Sequence, residues 1–268
     1  MKKFLCLYLF FLALSPAKAI NEIDSLLTQL EITMAQRDQF DQKKENRIAQ
    51  LKELLLKNDN HLEQIFFINK QLIDEYLTYT LDSALHFINK NLLLSQQINN
   101  IELVHQNNIL LAYIMASSGR SFEAFDILNC IDKRELSNTL LIEYYKTFIK
   151  TYNELSFYAP LPSNYHKYYS KVEAYTDSLI PYLDKDTDDY LSILEKKYRD
   201  DRNLLECKKI NTRRLSKTKM GKRLYSQITF ERSLLYQLEE DDEMQMKYLI
   251  LSATSDIQSS VKDNASLT

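Results

Sequence analysis

The chain has 268 residues, a formal charge of −3 at pH 7 and 45% hydrophobic residues, enough for the core of one large domain or two small ones. It contains only two glycines and four prolines. These low counts argue against doubly wound α/β folds and β-sandwiches, which need many glycine-containing turns. The abundant Leu, Ile, Lys, Glu, Gln and Asn residues favour helices, and the 18 tyrosines favour helix–helix seams or a groove wall.

Residues 1–19 have the pattern of a secretory signal peptide. Two lysines precede an apolar run at 4–14, and Ala17-Lys18-Ala19 supplies the small residues of a cleavage site. An uncleaved membrane anchor is the alternative, but this run is short for spanning a bilayer. We therefore expect an exported, periplasmic mature chain, 20–268, which has no further apolar stretch of membrane-spanning length.

Amphipathic periodicity predicts helices along the whole mature chain. An apolar stripe that starts at Ile23 predicts a first helix, a polar break follows at 36–41, and a second stripe centred on Leu51 predicts another helix. The second stripe is too short for a coiled coil, so its charged face is interpreted as solvated. Residues 61–98 then predict a helical hairpin.

Residues 101–131 predict the clearest hairpin of the chain. Gly119 suits a helix end because it tolerates positive φ, and Ser121 is the predicted N-cap of the next helix. Small residues at Ala112 and Ala116 permit close approach of another helix. This stretch resembles a tetratricopeptide repeat (TPR), although Asn108 stands where an aromatic residue is expected. The matching residues are Leu111, Ala112, Gly119, Ala124 and Leu128.

The remaining stripes predict further hairpins and no strand. The sequence at 122–125 is loosely similar to that at 82–85, and the distance between the two is close to the length of a helical repeat. A helix over 138–158 is predicted to end at the prolines that follow it. A helix over 164–183 is predicted to bend or end at Pro181. The other predicted helices are 187–199, 201–215, 219–238 and 243–255. The predicted fold is an all-α solenoid of about five degenerate TPR-like hairpins, forming one domain over 20–268.

The sequence contains no motif of an enzyme, cofactor or metal site. The four histidines, His61, His86, His105 and His166, match no zinc spacing, and there is no phosphate-binding glycine loop or nucleophile elbow. We therefore expect no enzymatic activity, cofactor or metal. Cys130 and Cys207 permit one disulfide in an oxidising compartment, but two buried thiols are the favoured interpretation.

Two surfaces are candidates for binding. In the TPR-like hairpin, a peptide groove would carry the residues between the core positions of the first helix, which are Gln106, Ile109, Tyr113 and Ala116. The tyrosine stripe from Tyr144 to Tyr182 is a second candidate, but such stripes are more often helix seams.

The basic run at 208–223 is interpreted as a solvated face that the acidic run at 239–243 partly neutralises, and not as a nucleic-acid site.

The whole chain resembles a bacterial family of unknown function, typical of Bacteroidota, with a signal peptide and a degenerate TPR-like exported region. The matching segments are 24–27, 43–55, 81–86, 116–119, 248–253 leading to 256–257, and 262–267. The resemblance implies a membrane-bound regulator, of which this chain is only the sensory half, ending inside a helix that the family continues. It implies a periplasmic module that binds a protein or peptide. The alternative is a structural scaffold repeat of an envelope assembly.

Overall fold

A computed structural model of the chain describes residues 22–58 and 61–262. The predicted signal peptide and the family-like segment at 263–267 lie outside these residues. The described residues form twelve α-helices and no strand, which confirms the all-α prediction. The helices are α1 (Glu22–Ala35), α2 (Arg37–Lys57), α3 (Leu62–Tyr76), α4 (Leu81–Ile98), α5 (Ile101–Ser117), α6 (Ser121–Asn129), α7 (Asn138–Phe157), α8 (Pro162–Leu179), α9 (Asp188–Asp200), α10 (Leu204–Leu215), α11 (Arg223–Leu238) and α12 (Asp242–Gln258).

Five antiparallel hairpins, α3–α4, α5–α6, α7–α8, α9–α10 and α11–α12, make up the chain after α2. Helix α5 packs on α4, and α7 packs on both α5 and α6, as in stacked helical repeats. Short 3₁₀ turns at Lys133–Glu135 and Ile180–Tyr182 lead into and out of the third hairpin. The predicted solenoid of about five hairpins is therefore confirmed.

The α5–α6 hairpin forms where the sequence predicts it, with one difference at the cap. Gly119 has φ +78°, a left-handed conformation that commonly ends a helix. Glycine adopts this conformation at little energetic cost because it has no Cβ atom. The predicted N-cap, Ser121, is instead the first residue of α6, and Arg120 occupies the cap position without a side-chain hydrogen bond. Ser121 is buried. Its side chain therefore packs between α5 and α6 and does not cap the helix, although its residue type suggested a cap.

Two other boundaries differ from the predicted ones. Only Gln36 interrupts the helices α1 and α2, because the polar residues at 37–41 include no glycine or proline and continue as helix. Helix α11 begins at Arg223, four residues later than predicted, because Gly221 has φ +82° and ends the preceding turn. The predicted end at Pro181 is confirmed, since α8 stops at Leu179 and passes into a 3₁₀ turn.

The largest core cluster runs from α2 to α8 and contains the small residues of the TPR-like hairpin. Ala112, Ala116 and Ala124 are fully buried, which lets α5 and α6 approach closely. Apolar side chains of this hairpin and of its neighbour pack around them, including Leu128 of α6 and Ile88 of α4. Burial of these side chains is the main stabilising contribution to the stack.

The first described helix packs against the last one, so the two ends of the hairpin array are in contact. Helix α1 lies along α12, and the Lys247 Nζ is 2.6 Å from Glu22 Oε1. At the other side of this closure, Lys44 of α2 is buried and donates to the carbonyl oxygen of Ser260. The backbone N–H of Lys262 donates to the carbonyl of Thr78, in the turn between α3 and α4, at 2.7 Å. We call these contacts the α1–α12 closure.

Candidate functional site

An apolar cleft of about 350 Å³ opens between α2, α3 and α4. This volume lies within the usual range of ligand pockets. We call it the Asn69 cleft, and its lining residues are Leu55, Ile65, Asn69, Lys90, Leu93, Leu94 and Gln97. Four leucine or isoleucine side chains form its walls, whereas two exposed polar side chains, Lys90 and Gln97, lie at its rim.

A buried pair of amides forms the polar base of the Asn69 cleft. Asn69 Nδ2 donates to Asn91 Oδ1 at 2.9 Å, and Asn91 Nδ2 donates to the carbonyl oxygen of Phe66 at 3.1 Å. Both asparagines are fully buried. Asn69 Oδ1 accepts no hydrogen bond from the described residues. A buried acceptor without a partner costs about 1–3 kcal/mol, so the base of the cleft carries an energetic cost.

The rim of the Asn69 cleft presents apolar surface to solvent. Leu93 is 63% exposed although it stands on the same helix as fully buried Ile88. The Lys90 Nζ lies 5.5 Å from the centroid of the Phe87 ring, so its alkyl stem runs along the helix surface. An open apolar wall with a polar rim suits an aliphatic or aromatic side chain of a partner.

The groove predicted on α5 is only partly available to a partner. Tyr113 is 42% exposed and Gln106 is half-buried, but Ile109 and Ala116 lie in the core. The two buried positions are corrected here: the small side chain of Ala116 serves helix packing and not a ligand. The groove at Gln106 and Tyr113 stays a prediction.

The tyrosine stripe is mostly a helix seam. Phe148 of α7 stacks on Tyr175 of α8, with ring centroids 4.4 Å apart, and Tyr145 contacts both Tyr175 and Tyr182. Burial raises the pKa of Tyr144 to about 12. Within the stripe, Tyr158, Tyr165 and Tyr182 are exposed.

The basic run at 208–223 is not a uniform solvated face, because Arg214 is buried. The guanidinium group of Arg214 is 3% exposed and bonds three carboxylates, those of Asp188, Glu195 and Glu231. Burial opposes the charge of Arg214, but these partners outweigh it and raise its pKa. Burial also raises the pKa of Glu231. Among the described residues, the acidic run contacts the basic run through the ion pair Lys208–Glu239.

Histidines and cysteines form no cluster that could hold a metal ion in the described part of the chain. His105 is buried, with its Nε2 atom 3.3 Å from Glu135 Oε2. Cys130 and Cys207 are both free, so no disulfide joins them. Cys207 is buried as predicted, whereas Cys130 is exposed, because it lies at the C-terminal end of the short helix α6.

Sequence reasoning missed the Asn69 cleft, although its signal was present. Asn69 falls on the apolar stripe of α3 at a core position, between Phe66 and Leu72. A polar residue on such a stripe indicates a buried hydrogen bond or a ligand contact. The sequence did not reveal that α2 and α4 leave space beside it.

Comparison with known proteins assigns the family. The family model described as the SusR N-terminal TPR domain matches residues 34–268. No curated protein and no solved structure matches the chain. Within residues 22–58 and 61–262, no helix combines the length and hydropathy of a membrane-spanning segment.

Proposed function

We propose, because the chain belongs to the family of SusR N-terminal TPR domains, that it is a non-enzymatic periplasmic module that binds a protein or peptide. TPR-type repeats present side chains of stacked helices to a partner. The sensory role follows from the family, whose regulators would receive the binding signal through this domain. The periplasmic location rests on the signal-peptide pattern at 1–19.

The Asn69 cleft is the observation that carries this proposal. It combines apolar walls, a polar rim and one buried acceptor without a partner. A partner peptide would insert an apolar side chain between Leu55 and Leu93, above the buried Asn69–Asn91 pair. The predicted α5 groove, with Gln106 and Tyr113, is a second contact region for a longer peptide.

The test is capture of a partner from envelope extract with the mature chain as bait. We expect Leu93→Ala to lose the partner, because it removes the exposed wall of the cleft at little cost in stability. Leu56→Ala is the matched control, since Leu56 is 77% exposed on α2 and does not line the cleft. Tyr113→Ala with Gln106→Ala tests the α5 groove separately.

Each outcome has a distinct meaning. Loss with Leu93→Ala and retention with Leu56→Ala would support binding at the Asn69 cleft. Equal retention by both would contradict that site, and loss only with the Tyr113 and Gln106 variant would move the site to α5.

The alternative function, a scaffold repeat of an envelope assembly, predicts a partner bound in fixed stoichiometry under all growth conditions. A sensor predicts a partner whose occupancy changes with them.

A further inference from the structure

A second cleft, of about 190 Å³, lies at the α1–α12 closure and is lined by basic side chains. Helix α2 forms one wall, the turn before α11 forms another, and the end of α12 forms the third. We call it the closure cleft, and its lining residues are Phe40, Lys43, Arg47, Gly221, Lys222, Arg223, Gln258, Ser259 and Ser260.

Four cations line the closure cleft, and no carboxylate is among the described residues that line it. Arg47 pairs with Glu75, and Arg223 pairs with Asp256 at 2.8 Å, so two of the four charges have acidic neighbours. Lys43 and Lys222 are exposed and form no ion pair within the residues that the structure describes. Their charges are therefore available to an anion.

The local backbone brings these cations to one point. Phe40, Lys43 and Arg47 are spaced three and four residues apart, so they share one face of α2. Gly221 has φ +82°, and its N–H donates to Ser255 Oγ at 2.9 Å, which fixes the turn against α12. A Cβ atom at Gly221 would lie 3.2 Å from Gln258 Oε1, so the turn fits closely there.

The start of α11 adds a second reason to expect an anion. No side chain caps this helix, and its first turn contains no acidic residue. Lys222 and Arg223 stand there instead, at the positive end of the helix dipole, where cations are unfavourable. An anion bound beside the helix N-terminus would interact favourably with the positive end of the helix dipole and with the lysine charges.

We propose that the closure cleft binds a phosphate-type oxyanion, either as the free ion or as a monoester group of a larger molecule. A compact dianion matches a small cleft in which two unpaired lysines and a helix N-terminus converge, and it would accept several charge-assisted hydrogen bonds. Because the cleft joins α2 to the ends of α11 and α12, the bound anion would also strengthen the α1–α12 closure. This binding is independent of the partner proposed for the Asn69 cleft.

The test is thermal unfolding of the chain with inorganic phosphate against sodium chloride at equal ionic strength. Preferential binding to the folded state predicts a saturable rise in Tm with phosphate. The double variant Lys43→Gln with Lys222→Gln should bind phosphate at least tenfold more weakly. Lys133→Gln with Lys171→Gln is the matched control, since both lysines are exposed outside the cleft and form no ion pair in the described part, and it should behave as the original chain does.

Phosphorus NMR line broadening measures the same binding directly, without unfolding. Glycerol 1-phosphate in a parallel titration identifies the source: binding of both compounds indicates a monoester group, and binding of inorganic phosphate alone indicates the free ion. Coincident phosphate and chloride curves would overturn the proposal. An equal Tm rise in both double variants would overturn it too, because it would show unspecific screening.

Discussion

At the residue scale, the least predictable feature of the molecule is its buried polar groups. The stripes of Leu and Ile show which helix faces are covered, but they do not show that Arg214 lies inside the protein with three carboxylates. The sequence placed Arg214 in a basic run, where neighbouring lysines suggest solvent exposure. Its partners lie on α9 and α11, and only the packing of three helices brings them together.

Removal of Arg214 should destabilise the protein strongly. Arg214→Met leaves the buried Glu195 carboxylate, which is 1% exposed, without its cation, and loss of one partner of a buried pair costs about 3–5 kcal/mol. The measurement is the free energy of unfolding in urea. Arg213→Met is the control, because Arg213 pairs with Asp186 at the surface and surface pairs contribute about 0–1 kcal/mol. Equal effects of the two variants would contradict a buried pair.

Cys130 and Cys207, the two cysteines outside the predicted signal peptide, should differ sharply in reactivity. Cys207 is buried, its Sγ donates to the Glu195 carbonyl oxygen at 3.3 Å, and burial raises its pKa to about 11. Cys130 is exposed, so iodoacetamide should modify it in the folded protein, because the thiolate is the reacting form and needs solvent access. Peptide mapping after alkylation, with and without denaturant, measures both sites. Rapid modification of Cys207 without denaturant would contradict its burial.

At the element scale, the sequence predicted helices well and their caps less well. The hairpin at 101–131 and the turn at Gly119 are as predicted, because glycine is the one residue that readily ends a helix with positive φ. The N-cap at Ser121 is wrong, because Ser121 packs inside the hairpin. Local residue type indicates that a helix begins near a serine, but tertiary packing decides which residue is the cap.

The cap of α5 provides a measurable contrast. Asn100 Oδ1 accepts from the backbone N–H groups of Glu102 and Leu103, at 3.0 and 3.3 Å. Asn100→Ala removes this cap and should lower the free energy of unfolding by about 1 kcal/mol. Ser121→Ala removes no capping bond, so it should lower the free energy of unfolding by less than Asn100→Ala does. A larger loss with Ser121→Ala than with Asn100→Ala would reverse the assignment of the two caps.

At the scale of the whole molecule, the sequence predicted an array of hairpins but not its closure. The apolar stripe of α1 shows that one face is covered, yet it contains no information on the helix that covers it. The contact with α12 depends on the accumulated rotation between five hairpins, and that rotation is not encoded in any local pattern. The same is true of both clefts, whose walls come from helices distant in sequence.

The α1–α12 closure should loosen in acid. Burial alone would raise the pKa of Asp41, but Lys262, whose Nζ lies 2.8 Å from Asp41 Oδ2, and the neighbouring Ser260 outweigh it and hold the pKa below its usual 3.8. A carboxylate with a lowered pKa in the folded state stabilises it above that usual value, and the contribution is lost as pH falls through the folded pKa. Amide hydrogen exchange of α12, relative to α7, measures the loss.

Asp41→Asn is the reference for this measurement, since it removes the charge at every pH. We expect α12 to be better protected in the original chain than in the variant at pH 6, and the two to converge near the low end of the titration. Parallel curves over the whole pH range would show that Asp41 does not hold the closure.

The closure also has a consequence for how the chain folds. Each hairpin forms from residues close in sequence, but the Lys44–Ser260 contact spans 216 positions and the Glu22–Lys247 contact spans 225. Local contacts form quickly, whereas the entropy of joining distant segments delays long-range ones. Helical hairpins should therefore appear first in refolding, and the joining of α1 to α12 last. Once joined, the two ends of the array hold each other in place, which opposes the fraying of the terminal helices.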